Sequence, residues 1–358
     1  MHNLAEYIWM DGGSETSPVQ TLRSKTRVLD RNVIKDGKAV IEETFPVWNF
    51  DGSSTSQSNG VDSDLVLQPV RFVTDPIRGA GNYLVLCEVM SADGTPHESN
   101  TRANLRQVLN KGAKEHEPWL GFEQEYVLYD NATERPLGWP TRGVPSRAQG
   151  PYYCGVGADE VAGRKIIEDH LQMCLKAGIM IYGTNAEVML GQWEFQIGYR
   201  GFEGEPGDAM LVADHLWLAR WLLYRIGEQH NISATLDCKP EKGDWNGSGA
   251  HTNFSTKAMR TEGEGMNAIH DAISKLGANG MQEAHIKEYG HGLEERLTGK
   301  HETCSIHEFK SGVSNRTASI RIPRHVHEQG YGYIEDRRPG ANCDPYRVAA
   351  RILQTICI

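Results

Sequence analysis

The chain has 358 residues with 37 basic and 47 acidic side chains, a formal net charge of -10, and is long enough for two domains rather than one. That acidic balance argues against a general nucleic-acid binder, which needs a basic surface for phosphate backbones. No apolar run approaches the roughly 18 residues that span a bilayer, and the opening MHNLAEYIWMDGG lacks the basic start and apolar middle of a signal peptide, so a cytoplasmic protein with no membrane partner is expected.

Seven cysteines with no CxxC pair fit scattered reduced thiols better than a disulfide framework or a zinc site. Residues 5 to 95 alternate strand-like runs (TRVLD, KAVIEETFPVWNF, DLVLQPVRFV, YLVLCEVM) with turn-rich stretches such as DGSSTSQSNGVDSD, which predicts a small β-rich domain. A helix signal begins at Asn100 or Thr101, with Leu105, Val108 and Leu109 on its apolar face. The domain boundary is placed just before it, giving residues 1–99 and 100–358. In the second part, strands WLGFEQEYVLY, EVML, QWEFQIG, ATLDCKP, AHTNFST and TASIRIPR alternate with helical runs GRKIIEDHLQMCLKAG, ADHLWLARWLLYRIGEQH and GMNAIHDAISKLGANG. The pattern is that of an α/β or α+β domain.

Within GFEQEYVL, alternation puts Glu123 and Glu125 on one strand face and Phe122, Tyr126 and Leu128 on the other. Two buried carboxylates that close cannot both ionise unless a cation neutralises them. QWEFQIG repeats the arrangement, with Trp193, Phe195 and Ile197 opposite Gln192, Glu194 and Gln196, and Glu187 lies just upstream. His251, Asn253 and Ser255 alternate with Thr252 and Phe254, and Glu335 and Arg337 alternate with Ile334 and Asp336. A carboxylate-rich set with one imidazole suits a hard divalent cation such as Mg²⁺ or Mn²⁺ better than structural zinc. Any one of these strands is equally compatible with an ordinary solvent-facing side, but four with the same polar face favour the cation.

Between Glu295 and Pro339 stand six arginines, Arg296, Arg316, Arg321, Arg324, Arg337 and Arg338, which in an acidic chain suggests a site for a small anion. Three apparent motifs fail on spacing. GLEERLTGKHET has the wrong glycine spacing for a phosphate-binding GxxxxGK[ST] loop, HETCSIH has Ser305 where HExxH needs its second histidine, and GVGADE lacks a third glycine.

The segments WNFDGSSTSQSNG, SDLVLQP, GFEQEYVL, QGPYYCGVGAD, GTNAEVMLGQWEFQIG, DWNGSGAHTNFSTK, RLTGKHET, NRTASIRIPR and YIEDRRPGANCDPY, in this order, resemble the glutamine synthetase family in its shorter type II form over nearly the whole chain. The resemblance implies an α+β fold. An N-terminal β-grasp domain would be followed by a catalytic domain with an antiparallel sheet flanked by helices. Active sites would lie between adjacent subunits of a homo-oligomer, a decamer of two pentameric rings. The implied reaction joins ammonia to L-glutamate with ATP through a γ-glutamyl phosphate, giving glutamine, ADP and phosphate.

Carried onto this sequence, the resemblance makes Glu123, Glu125, Glu187, Glu194, His251 and Glu335 ligands of two or three divalent ions per site. Arg316, Arg321 and Arg337 match positions contacting nucleotide phosphates and the transferring group, and Arg296 one that grips the substrate carboxylate. Asn246 and Gly247 match glutamate-binding positions, while Asn253 and Ser255 match positions on the nucleotide side. Asp51 matches the residue proposed to help deprotonate ammonium, although its loop context alone reads as a turn, and Asp64 supports the ammonium site. Glu302 matches a flap residue that shields the acyl phosphate from water.

Tyr199 replaces a proline common in eukaryotic members, an insertion precedes the next helix, and Ser248 replaces a usual alanine. No counterpart of the modified tyrosine loop of longer bacterial forms is present. Two alternatives keep the same residues in view: a ligase for a larger amine, which Asp51 and Asp64 disfavour, and an inactive structural homologue, which should have lost metal ligands.

Overall fold

Strand alternation organises residues 3–90 into one mixed sheet in the computed structural model, which describes residues 2–14, 18–30, 39–147 and 149–358. Its strands are β1 (Asn3–Met10), β2 (Leu22–Leu29), β3 (Trp48–Asp51), β4 (Asp64–Thr74) and β5 (Tyr83–Met90), ordered β2-β1-β5-β4-β3. The β1–β5 pair is parallel and the others antiparallel. The two faces of β1 serve different cores. Ala5, Tyr7 and Trp9 pack with Phe45, Phe50, Leu65 and Leu67, whereas Ile8 and Met10 join Leu84 and Leu86 in the main core of the molecule.

Nine strands form the second sheet: β6 (Trp119–Asp130), β7 (Arg135–Pro136), β8 (Ile181–Ala186), β9 (Gln192–Gly198), β10 (Ile232–Thr235), β11 (Ala250–Ser255), β12 (Ser311–Val313), β13 (Ile320–Ile322) and β14 (Ile334–Asp336). The order is β12-β13-β14-β11-β6-β9-β8, with β7 and β10 pairing with the far end of β6. Only β12–β13 is parallel. Helices Thr101–Asn110, Arg164–Ala177, Ala209–His230, Gly265–Leu276 and Pro345–Ile356 contribute their buried side chains to the same core. The fold is therefore α+β, with helices segregated from a largely antiparallel sheet.

The long helix Ala209–His230 is buried through most of its length, including Leu216, Trp217, Leu222 and Leu223. The Asp208 side chain accepts from the Leu211 N–H at its start, and Asn231 ends it in the left-handed region. No helix among the described residues is long and apolar enough to cross a membrane.

Phe122, Tyr126, Leu128, Trp193, Phe195, Ile197 and Phe254 are all buried, as the alternation requires. Two polar groups on that face are satisfied internally. Gln124 accepts from Arg220 Nε and Nη2 at 2.8 and 2.6 Å and donates to the Ala341 carbonyl at 3.0 Å. Asp336 accepts from Arg338 Nε and Nη2 at 2.9 and 2.7 Å and from the Tyr289 hydroxyl at 2.7 Å.

The structure corrects four element assignments. In KAVIEETFPVWNF, whose Lys38 lies outside the described residues, Ile41–Thr44 forms a short helix before β3. EVML is a turn: Glu187 N–H donates to the Gln192 carbonyl and Gln192 N–H to the Met189 carbonyl, each at 2.9 Å. ATLDCKP leaves its strand at Thr235, and TASIRIPR is extended only over Ile320–Ile322. β1 and β8 had no counterpart among the strand runs read from sequence.

Candidate active site

The polar face of the second sheet opens into a cavity of about 660 Å³. Adjacent strands bring its carboxylates together. In the β6–β9 ladder Glu125 lies opposite Glu194, and in the β6–β11 ladder Glu123 lies opposite His251. β14 adds Glu335, opposite Asn253 of β11, and the turn after β8 adds Glu187.

Two groups of candidate ligands result, Glu123, His251 and Glu335 in one and Glu125, Glu187 and Glu194 in the other. Within each group, ligand atoms lie within 4.8 Å of one another.

Electrostatics mark this cluster as needing positive charge. Burial raises the Glu187 carboxyl to about 8, helped by the Glu125 charge. Burial also raises Glu194 well above the carboxylate range, with Glu123 and Glu125 adding to it, and raises Glu125 against the opposing pull of Arg296. His251 is pushed well below the usual imidazole range by burial and then by Arg337, which keeps it neutral and able to ligate. An oxygen-rich set of five carboxylates and one neutral imidazole fits hard divalent cations.

Polar neighbours fix the ligands. Asn253 Nδ2 donates to Glu123 at 2.9 Å, Asn185 Nδ2 and Val188 N–H donate to Glu187 at 3.0 Å, and Gly249 N–H donates to Glu125 at 2.6 Å. The last bond needs the DWNGSG loop to lie flat against the site. A Cβ at Gly249 would stand 2.3 Å from Arg296 Nη2, and one at Gly247 2.5 Å from the Cys238 carbonyl oxygen. Gln192 Nε2 secures the loop from β9, donating to the Gly247 carbonyl at 2.9 Å and to Ser248 Oγ at 3.1 Å. The serine at 248 thus gains a partner.

The arginines divide by position. Arg296, Arg316 and Arg337 line the cavity. Arg296 is buried, and its Nη2 lies 3.1 Å from His251 Nε2. Arg337 Nη1 donates to Glu335 Oε1 at 2.5 Å, and Arg321, just outside the lining, donates from Nη1 to Glu335 Oε2 at 2.6 Å. Arg338 points to the back of β14, and exposed Arg324 pairs with Glu328 at 4.0 Å. The cluster read from sequence as one anion site therefore splits between cavity, core and surface.

Asn246, Gly247, Asn253 and Glu302 also line the cavity. Ser255 instead lines a smaller apolar cleft of about 310 Å³, which shares Tyr182, Asn253 and Tyr333 with the cavity. This cleft contains aromatic residues absent from the sequence-based site: Trp119, Tyr182 and Tyr333, with Tyr199 beside them. The Trp119 and Tyr199 rings are 4.6 Å apart, and the Arg260 guanidinium sits 4.0 Å from the Trp119 ring centre. Other unforeseen lining residues are Tyr153, Asn185 and His301.

Asp51 and Asp64 do not line the cavity, whose described walls come from residues 123–337. They face each other across the β3–β4 ladder, both exposed. Asp51 also acts as the turn residue its context suggested: it accepts from Ser53 N–H and Oγ and from Ser54 Oγ, at 3.0, 2.6 and 2.7 Å. These bonds, Ser53 first, hold its carboxyl down at about 2.

Known proteins are similar to this chain over nearly its whole length. A family model described as "Glutamine synthetase, beta-Grasp domain" matches residues 2–92, and one described as "Glutamine synthetase, catalytic domain" matches residues 98–286. The chain is 53% identical over 353 residues to a glutamine synthetase of Streptomyces viridochromogenes, covering 99% of this chain and 96% of that protein. It is 49% identical over 358 residues to the chloroplastic glutamine synthetase of Chlamydomonas reinhardtii, with 98% and 90% coverage. To glutamine synthetase 2 cytoplasmic of Drosophila melanogaster it is 50% identical, with 99% and 90% coverage.

Proposed function

The chain belongs to the glutamine synthetase family, and on that premise we propose how its residues carry out ATP-dependent synthesis of glutamine from L-glutamate and ammonia. The observation that carries the assignment is the pair of carboxylate groups within one cavity, faced by Arg296, Arg316 and Arg337. Phosphoryl transfer asks mainly for positioning and charge neutralisation. Two or three Mg²⁺ or Mn²⁺ ions, held by Glu123, Glu125, Glu187, Glu194, His251 and Glu335, would supply the positive charge that the polyphosphate and these carboxylates require.

Arg296, with Asn246 and Gly247, holds the glutamate, since a planar guanidinium pairs well with a carboxylate. Arg316, Arg321 and Arg337 draw the transferring phosphoryl group toward the side-chain carboxylate. The nucleotide base occupies the aromatic cleft beside Asn253 and Ser255, with its phosphates crossing at Asn253 and Tyr333 into the carboxylate cavity. Glu302 covers the γ-glutamyl phosphate and accepts a proton from the attacking amine.

Asp51 and Asp64 serve the ammonium end of a neighbouring subunit's cavity. Their exposure at the paired ends of β3 and β4, away from this chain's own cavity, supports a shared site, in a homo-oligomer that we take to be two stacked pentamers. We divide the chain into domains at 1–99 and 100–358, supported by the Asn100 cap that opens the first helix of the second part. The cytoplasmic relative supports placement in the cytoplasm.

The test is phosphate release by the purified protein with Mg-ATP and glutamate, with and without ammonium, alongside a glutamine assay. Ammonium-dependent release matched by glutamine is expected. Release with only a larger amine, or none with ammonium, would overturn the assignment.

A further inference from the structure

Three loops that border the cavity meet at one imidazole. His301 Nε2 lies 2.9 Å from Asp244 Oδ1 in the DWNGSG segment, and its Nδ1 lies 2.5 Å from Gln149 Nε2 in the QGPYYC segment. The Nε2–H tautomer satisfies both partners at once, donating to the carboxylate and accepting from the amide. His301 and Glu302 are consecutive non-glycine residues with φ of 51° and 59°, a backbone region that costs energy for side chains of this kind and persists only when surroundings enforce it. The base of the same loop is tied separately. Arg337 Nη2 donates to the Glu302 carbonyl at 3.2 Å, and Thr303 Oγ1 donates to the Lys300 carbonyl at 2.7 Å. The His301 side chain is therefore the described connection from this loop to the two facing loops.

We propose that His301 is a positioning residue that latches the Glu302 loop across the cavity through Asp244 and Gln149. The latch would decide whether the acyl phosphate meets ammonia or water. This inference rests on the glutamine synthetase reading and deepens it. In the productive step the ammonia lone pair forms the C–N bond as the acyl C–O bond to phosphate breaks, phosphate leaves with that electron pair, and the nitrogen passes its extra proton to the Glu302 carboxylate. When water attacks instead, the same bond breaks but glutamate and phosphate are returned. ATP is then spent without glutamine being made. Neither Asp244 nor Gln149 lines the cavity, so the latch acts on water exclusion rather than on bond making.

The readout is the ratio of phosphate released to glutamine formed. Asp244 is the preferred first target because its side chain is 94% exposed, so its replacement should leave the fold intact. In Asp244→Ala, ammonium-independent phosphate release should rise about two- to fivefold over wild type, the scale of one solvent-exposed charged contact. Asp244→Asn keeps an acceptor and should restore the wild-type ratio. His301→Asn retains a side chain that tolerates the left-handed backbone but cannot span both partners, and should uncouple at least as strongly as Asp244→Ala.

A merely structural role would lower phosphate and glutamine together. A ratio that stays near that of wild type in both Asp244→Ala and His301→Asn overturns the latch. Failure of wild type to release phosphate or form glutamine would overturn the underlying reading, whatever the variants do.

Discussion

Glu125 and Glu194 stand directly opposite each other across the β6–β9 ladder, where like charges ordinarily destabilise a sheet. With Glu187 they form an acidic group whose carboxyls are all raised by burial, Glu187 from 4.5 to about 8. The metal-free fold therefore holds protons that the unfolded chain has released. This contribution to stability is full below the ordinary carboxylate range and is lost as pH rises through about 8.

Divalent binding must expel those protons, so it becomes more favourable with rising pH. In thermal melts of the chelated protein, the melting temperature should fall between pH 6 and pH 8.5 from this group, and the increase produced by added Mn²⁺ should be larger at the higher pH. Glu187→Gln should flatten the slope of the chelated protein. Equal metal-induced shifts at both pH values would contradict the assignment.

How far the site was legible follows from strand periodicity. Glu123, Glu125, Glu194, His251 and Glu335 lie on strands whose period of two separates them from buried Phe122, Trp193, Phe254 and Ile334. Glu187 was found, but on the wrong element. EVML looks like a strand by composition, whereas backbone bonds between Glu187, Met189 and Gln192 close it into the turn between β8 and β9, with Gly191 at φ 88°.

The aromatic cleft was hidden for another reason. Trp119, Tyr182 and Tyr333 come from separate parts of the chain, and only the sheet order brings them together. Short Ile41–Thr44 carries no side-chain cap that would have announced a helix. Asp336 was read correctly as opposite in face to Glu335, but its burial against Arg338 and Tyr289 depends on partners distant along the chain or on the same back face.

A second buried network joins the first sheet to the helices. Asp214, with no exposed surface, accepts from Arg102 Nε and Nη2 at 2.8 and 3.0 Å, from Arg71 Nε at 3.1 Å and from the Tyr346 hydroxyl at 2.7 Å. Arg102 continues to Glu88 of β5 at 2.8 Å. Asp214→Ala would leave buried Arg102 without its main counter-charge, and a loss of about 3–5 kcal/mol is expected. Urea denaturation at fixed metal concentration checks this, and a loss below about 1 kcal/mol would show that Glu88 alone suffices to neutralise Arg102.

Shared sites make a stoichiometric prediction. If Asp51 serves a neighbour's cavity, Asp51→Ala and Arg337→Ala subunits are each inactive alone but can complement each other. In rings assembled at random from equal amounts, about one quarter of interfaces pair an intact first domain with an intact catalytic domain. Activity should recover toward about that fraction of wild type, by the same interface arithmetic. Verified mixed rings that stay inactive would place Asp51 and Arg337 in one subunit's site, whereas activity of Asp51→Ala subunits on their own would remove Asp51 from the reaction.

Tyr199 offers a test of the nucleotide cleft that leaves the carboxylates untouched. Its ring lies 4.6 Å from Trp119, and both line the cleft that meets the carboxylate cavity at Asn253 and Tyr333. The following loop is braced where Arg200 Nε donates to Glu205 at 2.7 Å, so loss of the tyrosine ring need not collapse the loop. An aromatic contact on a base contributes about 1 kcal/mol beyond its buried area. Tyr199→Ala should therefore raise the KM for ATP roughly tenfold once the lost apolar area is included. Tyr199→Phe should behave as wild type, and the KM for glutamate should hold in both, because Arg296, Asn246 and Gly247 line the cavity rather than the cleft. A change in glutamate KM with ATP KM unaltered would move the base out of this cleft and return Tyr199 to a purely packing role.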